Sequence, residues 1–153
     1  MSDNLIHSAF TVERHYPASV DRVFACFADT EKLRRWLVEG EGWTIDGFTN
    51  NFEVLGFQRS LFRWQGGSQI SNDGIYHEIV ENERIITSYS MAMEGKIFSV
   101  SLLTTEFKEQ DGGTLLTLTE QGTYMGDENS AANREEGFHG LLDKLGEEIA
   151  RND

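Results

Sequence analysis

The sequence predicts an α+β domain: a curved antiparallel sheet of about seven strands wrapped around a long C-terminal helix, with two short helices between strands 1 and 2. Three observations carry this. Over roughly the middle of the chain, β-branched and aromatic residues recur at period two and are broken by short Gly, Asn and Asp turns, the pattern of antiparallel hairpins. In the last third the period changes, and Phe138, Leu141, Leu142, Leu145 and Ile149 form one apolar stripe at helical spacing. Near the N-terminus two shorter helical stripes follow a first strand.

In chain order, residues 10–16 alternate as a strand, and Pro17, the only proline, ends it. Ser19 reads as an N-cap, and Val20, Val23, Phe24 and Phe27 at i, i+3, i+4 and i+7 predict a helix over about 19–28. Asp29 or Thr30 caps a second short helix carrying Leu33, Trp36 and Leu37, with Arg34 and Arg35 toward solvent. Residues 39–49, rich in glycine, read as a loop or irregular strand. Strands are then expected over 51–55 and 58–65, joined near Gly56, and over 74–80, 84–93, 97–108 and 114–122, with Gln110-Asp111-Gly112-Gly113 as a strong hairpin turn. Asp127 is expected to cap the last helix, which opens with acidic residues as the helix dipole prefers. Gly137 and Gly140 lie beside its apolar stripe; each costs about 1 kcal/mol against alanine, so close approach to the sheet or to a bound molecule is expected there. Only the long helix can cover a sheet face, and the whole of 1–153 reads as one domain with its core at about 10–150.

Bulk properties narrow the function. The 153 residues, 39% hydrophobic and 25% charged, are ordinary for a globular chain. Thirteen Lys and Arg stand against 26 Asp and Glu, a formal charge of −13 that repels nucleic acid and anionic membrane surfaces and tolerates neutral or cationic partners. One cysteine, Cys26, cannot make an intrachain disulfide, the N-terminus lacks a signal-peptide pattern, and no run is long enough for a membrane span. Cytoplasm is the expected location.

No recognisable catalytic motif is present, and the block of candidate chemistry is thin. His7, His15, His77 and His139 show no metal-ligand spacing, and no metal or cofactor is implied. Of the four, His77 stands out, because it alternates with Tyr76 and one of the two must point into the concave face. Cys26 reads as a small apolar residue of the first helix. Glu120 and Glu136 are general-base candidates, more simply read as solvated carboxylates. Arg14 and Arg63 could meet a ligand carboxylate or pair with nearby acids.

The aromatic set is fuller than a plain aliphatic core. Trp36, Trp43, Phe62, Trp64, Tyr76, Tyr89 and Phe98, with Met91 and Met93, suggest a partly hollow interior whose polar tips converge on a ligand. With Phe138 and Leu142 from the last helix, Trp36, Trp43, Phe62, Trp64, Tyr76, Tyr89, Met91 and Phe98 are the cavity candidates. Strand alternation puts Phe62 and Trp64 on one face and Tyr89, Met91 and Met93 on one face, without deciding which face is concave.

Several stretches resemble a known family. They are Tyr-Pro-Ala-Ser-Val-Asp-Arg-Val-Phe at 16–24, Asp-Thr-Glu-Lys-Leu-Arg-Arg-Trp at 29–36, Asp-Gly-Ile-Tyr at 73–76 and Glu-Arg-Ile at 83–85. Gly-Gly-Thr-Leu-Leu-Thr-Leu-Thr-Glu-Gln-Gly at 112–122 and Arg-Glu-Glu-Gly-Phe-His-Gly-Leu-Leu-Asp-Lys-Leu at 134–145 complete the set. Together they resemble the SRPBCC superfamily, with the START-related, birch-pollen-allergen-like helix-grip fold. The branch is the one named for the C-terminal domain of the activator of the heat-shock-protein ninety ATPase. Two departures touch the cavity wall: Gly137-Phe138 where the family often has Gly-Trp, and Leu55-Gly56-Phe57 where Gly-Gly is usual. The resemblance implies a cavity between sheet and last helix that holds an apolar or amphipathic small molecule. It also admits a small cyclase, dehydratase or hydrolase using a cavity Glu or His, a co-chaperone acting on the heat-shock ATPase, and a homodimer. Binding stands ahead of catalysis, and both stand ahead of a chaperone partner, because the separate N-terminal domain of full activators is absent.

Overall fold

A computed structural model describes residues 4–127 and 129–151. The order is β1 (Leu5–Tyr16), α1 (Val20–Ala28), α2 (Thr30–Leu37), β2 (Trp43–Asn50), β3 (Phe57–Trp64), β4 (Ile70–Val80), β5 (Arg84–Met93), β6 (Lys96–Gln110), β7 (Gly113–Met125) and α3 (Ser130–Ala150). The strands form one curved antiparallel sheet in the order β1-β7-β6-β5-β4-β3-β2. This is the expected α+β architecture, with β1 and β7 longer than their sequence patterns indicated.

Directly paired residues share a face, so the register sorts the sheet into an inner face, which the helices cover, and an outer one that carries no helix among the described residues. The row Ser60–Asn72–Met91–Ser99–Tyr124 and the row Thr87–Leu103–Glu120–Phe10 are inner. α3 packs on β1: Phe138 meets Phe10 with ring centroids 5.9 Å apart, the Tyr16 hydroxyl donates to the Leu142 carbonyl at 2.7 Å, and Gly146 faces the Tyr16 ring. α1 buries Val23, Phe24, Cys26 and Phe27 against the sheet. Phe24 and Phe27 both meet Phe107 edge to face at 5.1 and 5.2 Å. The core therefore sits toward one end of the inner face, between α1, α3 and strands β1, β6 and β7.

Three local expectations change, at residues 51–55, at the cap of the last helix and in its first turn. Residues 51–55 are a loop, while the stretch read as loop or irregular strand holds an irregular strand, Trp43–Asn50. A shift between Ile45 and Gly47 bulges β2, so Ile45 and Phe48, three apart, both face inward; that break hides the alternation. The loop turns back on itself because Gly56 lies where a Cβ would sit 2.1 Å from the Asn51 carbonyl oxygen, and Leu55 adopts φ 69°. At the other end Asn129, not Asp127, is the N-cap of α3; Asp127 instead accepts from the Asn129 N–H at 2.8 Å, and the first turn holds no acid.

Arg34 pairs with Glu39 near the surface, but Arg35 does not face solvent. It makes two bonds, 2.9 and 2.7 Å, to Glu148, whose carboxylate is buried, and so ties α2 to α3. The glycines beside the α3 stripe also differ from expectation, because a Cβ at Gly137 or Gly140 would meet nothing within 4 Å. Close packing does not explain them. Gly137→Ala and Gly140→Ala are therefore expected to stabilise the fold by up to about 1 kcal/mol each, read as a higher urea midpoint. A lower midpoint would show that the helix needs glycine there.

Candidate functional site

The inner face divides into two halves. Toward one end lies the packed apolar core; toward the other the inner residues of β3 to β7 turn small and polar, with Ser60, Asn72, Ser99 and Ser101 in place of Leu and Val. In this second half stands a buried ionic cluster. Glu120 on β7 is 0% exposed. Its carboxylate accepts hydrogen bonds from the Tyr89 hydroxyl of β5 and from the Tyr124 hydroxyl at 2.6 Å. Arg134, one turn into α3, closes the set: its guanidinium lies 3.4 Å from Glu120 Oε2 and donates to the Tyr89 hydroxyl at 2.9 Å and to Ser99 Oγ at 2.7 Å. The same guanidinium sits over the rings of Tyr89 and Tyr124, at 5.6 and 5.2 Å from their centroids.

Local backbone explains how Tyr124 reaches Glu120, four residues back on the same strand. Its ring lies flat along β7 over Gly122, where a Cβ would be 3.0 Å from two ring carbons, so only glycine leaves room. Beside it Ser101 Oγ is buried without a well-aligned hydrogen bond. Burial holds the Tyr89 and Tyr124 phenols well above the ordinary value, reinforced by Glu120 and opposed by Arg134. Both stay neutral and act as donors.

The aromatic candidates fall into three places. Trp43, Phe62 and Trp64 form one open cluster on the inner face of β2 and β3, Trp43 lying 5.4 Å from Phe62 and 4.9 Å from Trp64. Trp43 and Trp64 remain 39% and 46% exposed. Lys144 of α3 bounds this cluster, donating to the Glu39 carbonyl beside Trp43, and burial lowers its pKa. Met91, half-buried and inner, lies in the row between Asn72 and Ser99, linking these rings to the polar cluster of which Tyr89 is part. Phe98 is the extra residue where β6 bulges opposite Met91 and Ala92. The remaining four belong to packed interior. Trp36 donates its indole N–H to the Cys26 carbonyl at 2.8 Å and meets Phe27 edge to face, while Phe138 and Leu142 seat α3 on β1. Tyr76 is buried against Phe52, its hydroxyl held by Asn50 at 2.6 Å and Gln58 at 2.7 Å.

Other candidates resolve simply. Tyr76 takes the inner side and His77 the outer, where its ring bonds Ser88 Oγ at 2.6 Å. Glu136 is exposed, whereas Glu120 is not the solvated carboxylate its sequence context suggested. Arg14 pairs with Asp143 at 2.7 Å and Arg63 with Asp46 at 2.8 Å. Cys26 is buried, and desolvation pushes its thiol up to about 11. Among the described residues no three His, Cys, Asp or Glu side chains gather as metal ligands, and no helix is long and apolar enough to cross a membrane. Surface hollows of about 490 and 650 Å³ both lie on the outer face.

Arg134, Ser99, Ser101 and Tyr124 escaped the sequence reading. The two serines carried a signal, polar positions alternating with Val100 and Leu102 on a strand expected to face the core. Arg134 carried none, since only the placement of α3 brings it to Glu120.

A curved antiparallel sheet gripping a terminal helix, with a polar cluster where the two meet, defines a helix-grip domain of the SRPBCC type. The chain belongs to the family described as Activator of Hsp90 ATPase homolog 1-like protein, whose profile matches residues 17–150. It is similar to a structurally determined protein of Rhizobium loti, with 44% identity over 95% of this chain and 99% of that one, TM-score 0.87. An uncharacterised protein of Rhizobium leguminosarum shares 28% identity over 99% and 100% of the two chains, TM-score 0.93. A Chromobacterium violaceum protein, 21% identical over 94% and 98%, TM-score 0.77, shares the fold. No curated protein matches the chain.

Proposed function

We propose that the protein holds an apolar or amphipathic small molecule on the inner face, between the sheet and α3. The apolar body lies against Trp43, Phe62, Trp64 and Met91, and a hydrogen-bonding group points toward Ser101 and Arg134. The observation that carries this is the pairing of opposites on one face: the buried Ser101 hydroxyl, beside the Tyr124 phenol but without a well-aligned hydrogen bond, and large rings left half-open to water. An unsatisfied buried hydroxyl costs about 1–3 kcal/mol, which a ligand group would recover. Exposed Trp rings are similarly offset by an apolar guest.

Nile red, a neutral apolar dye, serves as the probe. Saturable dye emission with quenching of tryptophan fluorescence is expected, weakened at least tenfold in Trp64→Ala and untouched by Val100→Lys on the outer face. Binding that ignores Trp64→Ala, or that Val100→Lys abolishes, would place the site elsewhere.

A second reading rests on Glu120 itself. A buried carboxylate hydrogen-bonded to two neutral phenols can shuttle a proton, so the cluster also suits a small cyclase- or hydrolase-type reaction. Under that reading Glu120→Gln keeps ligand affinity and removes turnover; under pure binding it leaves no turnover to lose.

A further inference from the structure

The inner face holds a cation without an acid of its own. Lys144 of α3 is half-buried, and its ammonium donates to the Glu39 carbonyl, a neutral acceptor. The Glu39 carboxylate is turned instead to Arg34, 2.9 Å away. Among the described residues no carboxylate lies within ion-pair distance of Lys144; Glu39 and Glu147 act on it only at longer range, and burial depresses its pKa. Its place is the rim of the ring cluster. A Cβ at Gly40 would stand 3.2 Å from Trp43 Cδ1 and 3.4 Å from Lys144 Nζ, so the indole edge and the ammonium close over the same bare backbone. Gly40 does not have a positive φ, so room is what the glycine supplies there.

Helical periodicity aims Lys144 at this place. Residues 134, 137, 141 and 144 follow one another at three- or four-residue steps and share one side of α3. Arg134 fixes one end of that stripe on Tyr89 and Ser99, and Lys144 fixes the other on Glu39. Between them Gly137 presents bare backbone, where a Cβ would meet nothing within 4 Å. This side of α3 therefore borders open space, with a cation at each end and a rise of about 15 Å between them.

We propose that the molecule held on the inner face is a monocarboxylate with an apolar body, its carboxylate on Lys144 and its body along the Gly137–Leu141 side of α3. This rests on the binding reading above and narrows it to one chemical class. An ammonium drawn out of water, with only a carbonyl to bond, recovers its lost solvation best from an anion. One ammonium balances one negative charge; a phosphate dianion would leave a surplus in a chain already at −13. The half-open rings of Trp43 and Trp64 beside it take the apolar part. Arg14 and Arg63, the other cations able to meet a ligand carboxylate, are each taken by an acid, at 2.7 and 2.8 Å.

Anthracene-2-carboxylate and its neutral twin anthracene-2-methanol are the probes, each followed by energy transfer from tryptophan. The wild type is expected to bind the carboxylate about tenfold more tightly than the alcohol at low salt. Lys144→Met is expected to bring that ratio to about one by weakening the carboxylate, and Lys144→Arg to keep the preference. Gly137→Trp, which fills the space beside the helix, is expected to weaken both probes. A readout on the unaltered chain does not depend on how variants fold. The Lys144 side-chain carbon resonance is expected to titrate about one pH unit higher with the carboxylate bound, the linked counterpart of the preference, and to stay in place with the alcohol. If Nile red and the alcohol bind but the carboxylate has no advantage, or keeps it in Lys144→Met, this proposal is overturned and the binding reading stands. If none of the three probes binds, the binding reading falls and takes this one with it.

Discussion

Arg134→Met is expected to destabilise the fold by about 3–5 kcal/mol, the cost of stranding a buried charge without its partner. For a chain of this length that lowers the thermal midpoint by roughly 10 °C. Arg134 is the cation that faces fully buried Glu120, and it also satisfies Ser99 and sits over two phenol rings. Removing it leaves the carboxylate with its two phenol donors and no counter-charge. The companion variants make the cause visible. Glu120→Gln keeps the shape and removes the need for a counterion, so Glu120→Gln with Arg134→Met is expected to be more stable than Arg134→Met alone. That positive coupling, measured by urea unfolding of the four proteins, isolates the ionic contact from lost packing. Additive effects, or an Arg134→Met cost below about 1 kcal/mol, would mean that α3 is held by its apolar stripe and the cluster is incidental.

The second large effect appears at alkaline pH. All four tyrosines, Tyr16, Tyr76, Tyr89 and Tyr124, have their phenols raised by burial, the first two to about 12 from an ordinary 10.0. Above pH 10 the unfolded chain releases phenolic protons that the folded chain retains. The folded state then binds more protons, and stability falls as pH rises. The contribution is whole below pH 10 and is lost progressively through the folded values. A two-unit shift is worth about 3 kcal/mol per residue, so Tyr16 and Tyr76 alone can exhaust much of a typical domain's stability. The phenolate absorption band is therefore expected to stay silent past pH 10 and then to emerge together with loss of the far-ultraviolet signal, all four residues at once. In guanidinium the same band should titrate near 10. A tyrosine that ionises near 10 within intact protein would contradict the burial of that side chain.

Much of the fold was legible because it rests on local periodicity. The α3 stripe from Phe138 to Ile149, the Asp29 cap, and the hairpin at Asp111-Gly112 each depend on residues within a few positions of one another. The β2 region stayed open between loop and irregular strand for the reason that makes such reasoning work elsewhere: one bulged residue at Asp46 breaks the period of two, and the strand Trp43–Asn50 no longer alternates. Site residues divide similarly. Trp43, Phe62 and Trp64 were visible as unusual rings, but Trp36, equally aromatic, is core, because burial of an indole depends on whether a carbonyl such as that of Cys26 waits at its tip.

Sequence alone determined the class of architecture, the order of elements, the helical stripe that seats the final helix, and the acidity that disfavours nucleic acid. These follow from spacing and composition, which act over a few bonds or over the whole chain. Tertiary structure decided which face of the sheet is covered, that Glu120 is buried rather than solvated, and that Arg35 and Arg134 are ion-pair partners of Glu148 and Glu120 rather than surface charges. Each of those joins residues far apart in the chain, Glu120 with Tyr89 and Arg134, Arg35 with Glu148. Such contacts are set by strand register and helix docking, and a one-residue slip in register would turn Glu120 or Tyr89 to the opposite face of the sheet.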